Sequence, residues 1–453
     1  MAMRTIPDIL TGLDRYWLKD ARVHASLLAA APPVDPDKDG LVRVDIRVED
    51  GKVRAVAPLG TAPKCGPGVS LEGGQVWPGL VDLHTHLDKG HIWPRAENPD
   101  GTFQGAIQAN VADRTAHWTA ADIEARFEFG LRCSLVHGTT AIRTHLDGGG
   151  PLTERTWDVF ADLRARWAGR IELQASAMSQ PMHFLPGGDG PALAAVVERH
   201  KGVLGCVTYI HPDLDAALDT LFALAEAHGL GLDLHVDETA DPGADSLRRI
   251  AETKIRRRFE GSVNVGHCCS LARQDDDTVQ RTLDVVAKAG LSVVSLPMCN
   301  MYLQDRAGGR TPRWRGVTLL HEMKARGTAV SVSSDNCRDP FYGYGDHDLV
   351  EVYREATRIL HLDRPFADWP TVVAGTPAEV MGVADRHGRI GEGRTADLIL
   401  FRSRHFSELL SRPQSDRVVL RAGRPVADPL PDHRELDRLF HDAEADDGPG
   451  FCA

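Results

Sequence analysis

Paired cysteines, long apolar runs and excess positive charge are all missing from this chain of 453 residues, and each absence removes a class of function. None of its 8 cysteines stands in a Cys-x-x-Cys spacing; Cys268 and Cys269 are adjacent, while Cys65 and Cys452 lie near opposite ends. That is neither a disulfide framework nor a zinc knuckle, and it suits small buried thiols in a reducing compartment. No stretch approaches the ~18–20 consecutive apolar residues that span a bilayer, so no membrane partner is expected. The short apolar run Ala25 to Ala31 follows Asp8, Asp14 and Asp20, unlike the basic start of a secretory signal. A cytoplasmic protein is expected. The formal net charge of −12 disfavours a nucleic-acid backbone as partner and leaves a small molecule as the expected ligand. Internal repeats and low-complexity segments are also absent.

What is present is an ordinary soluble composition, 42% hydrophobic and 26% charged, in a chain long enough for more than one domain. Both ends read as short strands. Leu41 to Val48, the turn Glu49-Asp50-Gly51-Lys52 and Val53 to Val56 spell a hairpin with an Asp-Gly turn. Ala396 to Phe401 and Val418 to Val426 have the same texture near the other end. One small β-sandwich domain built from both termini is expected, from residues 1–77 and 384–435, followed by an acidic tail over 436–453 whose Asp442 to Asp447 reads as solvated.

The middle, residues 78–383, alternates. Apolar runs at Val81–Leu83, Ala141–Arg143, Ile171–Ser176, Leu204–Ile210, Gly231–Leu234, Val263–Gly266, Ser292–Leu296 and Ala329–Val332 are separated by stretches of helical period such as Ala120–His137, Leu214–His228, Asp245–Phe259 and Asp275–Ala289. Eight such alternations predict an α/β fold, a (β/α)8 TIM barrel whose site sits at the C-terminal strand ends.

Polar residues recur at those ends. His84 and His86, two apart on one strand, point the same way and can reach one ion. His235, His267 and Asp335 each close a further run. Imidazole nitrogen and carboxylate oxygen suit zinc or iron equally, so His84, His86, His235 and Asp335 are the expected ligands of one divalent metal ion. Such an ion brings the pKa of water from 15.7 toward ~7. Glu238, three residues past His235, is placed to carry a proton; His267 to polarise the electrophile or orient the nucleophile; Asp335 to double as a base. Individually each has a plainer reading: Asp335 as a capping carboxylate, Glu238 as a solvated acid, and His137, His145 or His211 as hydrogen-bonded structural groups. The ordered set carries the signal.

With those residues in place, the sequence resembles the amidohydrolase superfamily, and within it the cytosine deaminase-like branch. His84-Thr85-His86-Leu87-Asp88 matches the branch's His-x-His-Leu-Asp, and the likeness continues through Arg143-Thr144-His145-Leu146-Asp147, His235-Val236-Asp237-Glu238, Asn300 to Arg306 and Asp335-Asn336-Cys337-Arg338-Asp339-Pro340-Phe341. The resemblance implies a distorted barrel of amidohydrolase type and a homo-oligomer. It also implies Glu238 as proton shuttle and Gln180 as a hydrogen-bond partner of the substrate ring. A metal-bridging lysine, found after the fourth strand in other branches, is replaced here by His211-Pro212-Asp213, which implies a single metal. Two departures bear on substrate. Asn336 stands where cytosine deaminases have a second Asp, offering donors in place of charge, and Phe341 stands where Trp is common. Lys89 adds a cation near the mouth. The expected activity is hydrolytic deamination of a cytosine-like heterocycle with release of ammonia. The alternatives are an amidohydrolase acting on a substituted amino-triazine or other cyclic amidine or amide, by N-dealkylation or ring opening, and a non-catalytic binding protein.

Overall fold

The structure, a computed structural model, describes residues 5–440. The eight apolar runs of the middle each form a strand: β1 (Leu80–Thr85), β2 (Thr139–Leu146), β3 (Glu172–Ala177), β4 (Leu204–Thr208), β5 (Leu232–Val236), β6 (Val263–His267), β7 (Ser292–Ser295) and β8 (Ala329–Val332). They pair in parallel as a three-stranded sheet, β1-β2-β3, and a five-stranded sheet, β4 to β8 in sequence order. Parallel strands covered by helices on one face and packed inward on the other are buried on both sides, which is why their sequences read as continuous apolar runs. Two seams join the sheets into a ring. Between β3 and β4 the parallel bridge Ser176–Val203 is closed by Val203 N donating to Ala175 O at 2.8 Å. Between β8 and β1 the bridge Thr85–Asp335 is closed by Asp335 N donating to His84 O at 2.9 Å. Below that seam, Ser334 Oγ donates to Asp82 Oδ2 at 2.5 Å.

The helices begin and end where their capping chemistry dictates. Ala120–His137 starts at Thr119, whose hydroxyl accepts from Asp122 N, and stops at Gly138, which turns left-handed at φ 98°. Asp276–Ala289 starts at Asp275 and stops at Gly290 in the same way. Between strands, the further helices Pro151–Arg166 and Phe103–His117 are ones the apolar period did not single out.

The chain ends share a β-rich unit. One sheet runs Lys52–Pro58, Leu41–Glu49, Arg15–His24, Gly68–Ser70. The other pairs Val76–Pro78 from the N-terminal part with Leu398–Leu400 from the C-terminal part, then Val418–Arg421 and Arg424–Pro425. The Asp50-Gly51 turn has both residues at positive φ, 51° and 72°, as a two-residue hairpin of primed type requires. Val418 to Val426 is broken by a second such turn, Ala422-Gly423 at 45° and 73°, so it folds back on itself. At the C-terminal end the expected tail starts later than residue 436. His433–Leu439 forms a 3-10 turn, and Leu436 is buried against Phe129 and Cys133 of a barrel helix, which accounts for its apolar side chain amid acidic neighbours. Asp442 to Asp447 lie outside the described residues. No helix among the described residues is long and apolar enough to cross a membrane.

Candidate metal centre

The C-terminal strand ends bring together the residues the spacing selected. His86 Nε2 lies 3.4 Å from His235 Nε2 and 3.2 Å from Asp335 Oδ1, and His84 Nε2 lies 3.7 Å from the same oxygen. Four donors held at zinc-type bond lengths around one tetrahedral ion stand about 3.4 Å apart. All four residues are buried. Both ring nitrogens of His84, Nδ1 of His86 and both carboxylate oxygens of Asp335 make no hydrogen bond. A bare buried polar atom costs about 1–3 kcal/mol, and a divalent cation is the partner that satisfies imidazole and carboxylate together. Burial first, and then the neighbouring histidines, hold the His84 imidazole well below its ordinary pKa, which keeps it in the neutral, ligating form. The seam bond from Asp335 N to His84 O, with Thr85 Oγ1 donating to Asp335 O at 2.9 Å, fixes the first and last strand ends against each other. Asp335 adopts φ 62° and His267 φ 68°, left-handed conformations that are costly without glycine and that aim both side chains inward.

Beside this group, Glu238 and His267 are linked by Asn300. Asn300 Nδ2 donates to Glu238 Oε1 at 3.0 Å and lies 2.9 Å from His267 Nδ1. Because an amide nitrogen only donates, His267 Nδ1 accepts and its proton sits on Nε2, which is buried and otherwise unbonded. Burial, with the Asp335 charge added, pushes the Glu238 carboxyl well above its usual range.

Sequence reasoning gave Asn300 no role and read His145 as structural. The structure puts the His145 ring 3.9 Å from that of His84 and 4.7 Å from that of His235. Asp233 lies below, accepting from Arg143 Nη1 at 2.7 Å and Asn264 Nδ2 at 3.0 Å, with His145 Nε2 3.9 Å away. The adjacency of Arg143 and His145 on one strand was the available signal, but its partner Asp233 is 90 residues away in sequence.

Lys89 is buried, with Nζ 4.4 Å above the Phe341 ring and 4.0 Å from Asp147 Oδ1. Burial alone would lower its pKa, yet Asp147, Asp339, Asp88 and Asp335 outweigh burial and hold it raised. Asn336 Nδ2 donates to Asp339 Oδ2 at 2.7 Å, so a carboxylate stands beside the position where one was expected to be lost. Asp339 also accepts from Phe341 N at 2.8 Å and thereby sets the Phe341 backbone. Gln180 stands apart: it is exposed, opens the turn Pro181–Phe184, and makes no hydrogen bond to the histidine cluster.

Residues 120–427 match the amidohydrolase family. A pterin deaminase of Rhizobium rhizogenes is 52% identical over 427 residues, covering 94% of this chain and 97% of that protein. Among solved structures, a 5-methylcytosine deaminase of Klebsiella pneumoniae liganded with 5-fluorocytosine superposes with a TM-score of 0.75 at 21% identity, covering 92% of this chain and 98% of its own. An adenosine deaminase of Xanthomonas campestris with bound zinc superposes with a TM-score of 0.67 at 18% identity, covering 94% and 98%. These two structures, being so distant in sequence, speak to the fold.

Proposed function

This chain belongs to the amidohydrolase family, and from that premise we propose that it is a metal-dependent hydrolase that deaminates a pterin. The coarser activity, hydrolytic deamination of an amino-substituted nitrogen heterocycle, follows from the family and the 52% identical deaminase relative. The pterin assignment rests on one observation: identity of 52% to a pterin deaminase across nearly the whole of both chains. It replaces the cytosine-like ring of the initial expectation. Both rings present an exocyclic amino group on a carbon doubly bonded to a ring nitrogen, part of an amidine in cytosine and of a guanidine in pterin.

His84, His86, His235 and Asp335 would hold the ion, zinc or iron, which when bound supplies the Lewis acidity that makes water a nucleophile near neutral pH. Glu238 takes a proton from the attacking water and delivers it to the departing nitrogen. His267, held by Asn300 with its proton on Nε2, donates to the oxygen that bonds to the amino-bearing ring carbon. One water is consumed, the exocyclic C–N bond breaks, and ammonia leaves as the ring carbonyl forms. Lys89 and Phe341 form a wall at the mouth, the ammonium facing ring carbonyl oxygen and the aromatic face stacking on the ring. Asn336, with one amide hydrogen engaged by Asp339, has a single donor left for substrate. Gln180 belongs to the rim in this reading and reaches the ring only if its loop closes.

The test is ammonia release from pterin, cytosine, an amino-triazine and a cyclic imide by full-length enzyme loaded with zinc or iron, with heavy-oxygen water tracking the new carbonyl. Labelled deaminated pterin is the expected product. Turnover of cytosine or the triazine with pterin untouched overturns the pterin assignment. Ring opening without ammonia overturns the deaminase reading.

A further inference from the structure

The loops after β1 and β8 carry a second cluster that the reaction does not use. His91, Cys337 and His347 each bring a donor atom within 4.8 Å of the others, and all three are buried. Both ring nitrogens of His91 and both of His347 are buried without a hydrogen bond. The two rings sit 5.4 Å apart between centroids, and Phe129 packs its ring against His91 at 4.8 Å. Space for the second imidazole is made by Gly130, where a Cβ would stand 3.0 Å from His347 Nε2. The backbone is shaped to the same end. His91 N donates to Cys337 O at 3.0 Å, and His91 and His347 hold left-handed φ of 63° and 53°. Such conformations persist in non-glycine residues where the surrounding structure enforces them.

Two imidazoles and a thiol form a donor set that magnesium and calcium disfavour and that zinc accepts. We infer that His91, Cys337 and His347 bind a second, zinc-type ion, which clips the loop after β1 to the loop after β8. Water takes the remaining position, and binding releases the Cys337 proton. Those loops continue from His84, His86 and Asp335, so the clip fixes the mouth of the first centre without touching its ligands.

Sulfur distinguishes the two centres, since the first has nitrogen and oxygen donors alone. Full-length protein stripped with chelator and reloaded with cobalt(II) is expected to take up two equivalents and to show a near-ultraviolet thiolate-to-cobalt charge-transfer band. Cys337→Ser should abolish the band and halve the cobalt content, and Cys299→Ser, whose thiol lies 3.6 Å from Asn336 Oδ1 beside the first centre, should leave the band unchanged. A wild-type protein with one equivalent and no band overturns the inference. So does a band that survives Cys337→Ser or vanishes with Cys299→Ser. If Cys337→Ser fails to fold, the wild-type spectrum decides, with His347→Asn as the second variant; that substitution must also halve the cobalt content.

Discussion

Asn300 offers the sharpest test of how the catalytic pair is organised. It is fully buried, and its amide nitrogen is shared between Glu238 Oε1 at 3.0 Å and His267 Nδ1 at 2.9 Å. Asn300→Leu keeps the volume and removes both donors. The bond to a carboxylate contributes roughly 1.5–3 kcal/mol and the bond to imidazole about 0.5–1.5 kcal/mol. Both matter most in the transition state, when Glu238 moves a proton and the His267 tautomer decides which nitrogen donates. Losing about 3 kcal/mol there lowers kcat by about two orders of magnitude at ~1.4 kcal/mol per tenfold. KM should change much less, because Asn300 is not placed against the substrate. The assay is steady-state ammonia release with metal content measured on the same sample. Asn300→Asp is expected to be at least as impaired, since a carboxylate cannot donate to His267 and repels Glu238. A leucine variant that keeps its metal and turns over within about threefold of wild type would refute the assigned geometry.

Three further outcomes follow from the structure. Lys89→Met leaves Asp147 and Asp339 without their buried cation, so unfolding free energy at neutral pH should fall by about 3–5 kcal/mol, a loss that shrinks in acid as carboxyls take up protons; denaturant melts at two pH values check it. Burial lowers the His24 pKa to about 4 from 6.5, so the unfolded chain binds the extra proton and stability must decline as pH falls from about 6.5 to 4; His24→Gln should flatten that slope, by at most ~3 kcal/mol across the window. Gly205→Ala, in β4, would put a Cβ 1.9 Å from the Ala177 carbonyl oxygen at the β3–β4 seam, and a drop in stability beyond ~4 kcal/mol or loss of soluble protein is expected; a variant that melts within a degree of wild type removes that contact from the account.

The barrel strands were legible because burial on both faces writes itself as an apolar run, as in Leu204 to Val207. The helix Ala120–His137 was legible to the residue because Thr119 and Gly138 punctuate it. Arg15–His24 hid because its ten residues mix Lys19, Asp20 and Arg22 with Trp17 and Leu18, and a bulge between Leu18 and Ala21 breaks the alternation. The candidate ligands could be singled out in the sequence because His84 with His86, His235 and Asp335 stand at or just beyond the ends of β1, β5 and β8. Asn300 could not: it sits on the short helix Pro297–Leu303 after β7, and its worth depends on Glu238 and His267, which are 62 and 33 residues away. His145 was hidden by the same logic, since joining the two sheets is what brings β5, with His235, across from the paired β1 and β2. Nor did the sequence reveal that Lys89, next to Asp88, is buried against the Phe341 ring among four carboxylates.

The central claim is convergence of four side chains on one ion, and diffraction from crystals of the zinc-loaded protein, recorded at the zinc absorption edge, tests it most directly. An anomalous peak about 2.0–2.2 Å from His84, His86, His235 and Asp335 together is predicted. A peak bound by fewer than three of them, or none between β1, β5 and β8, would contradict the hydrolytic account.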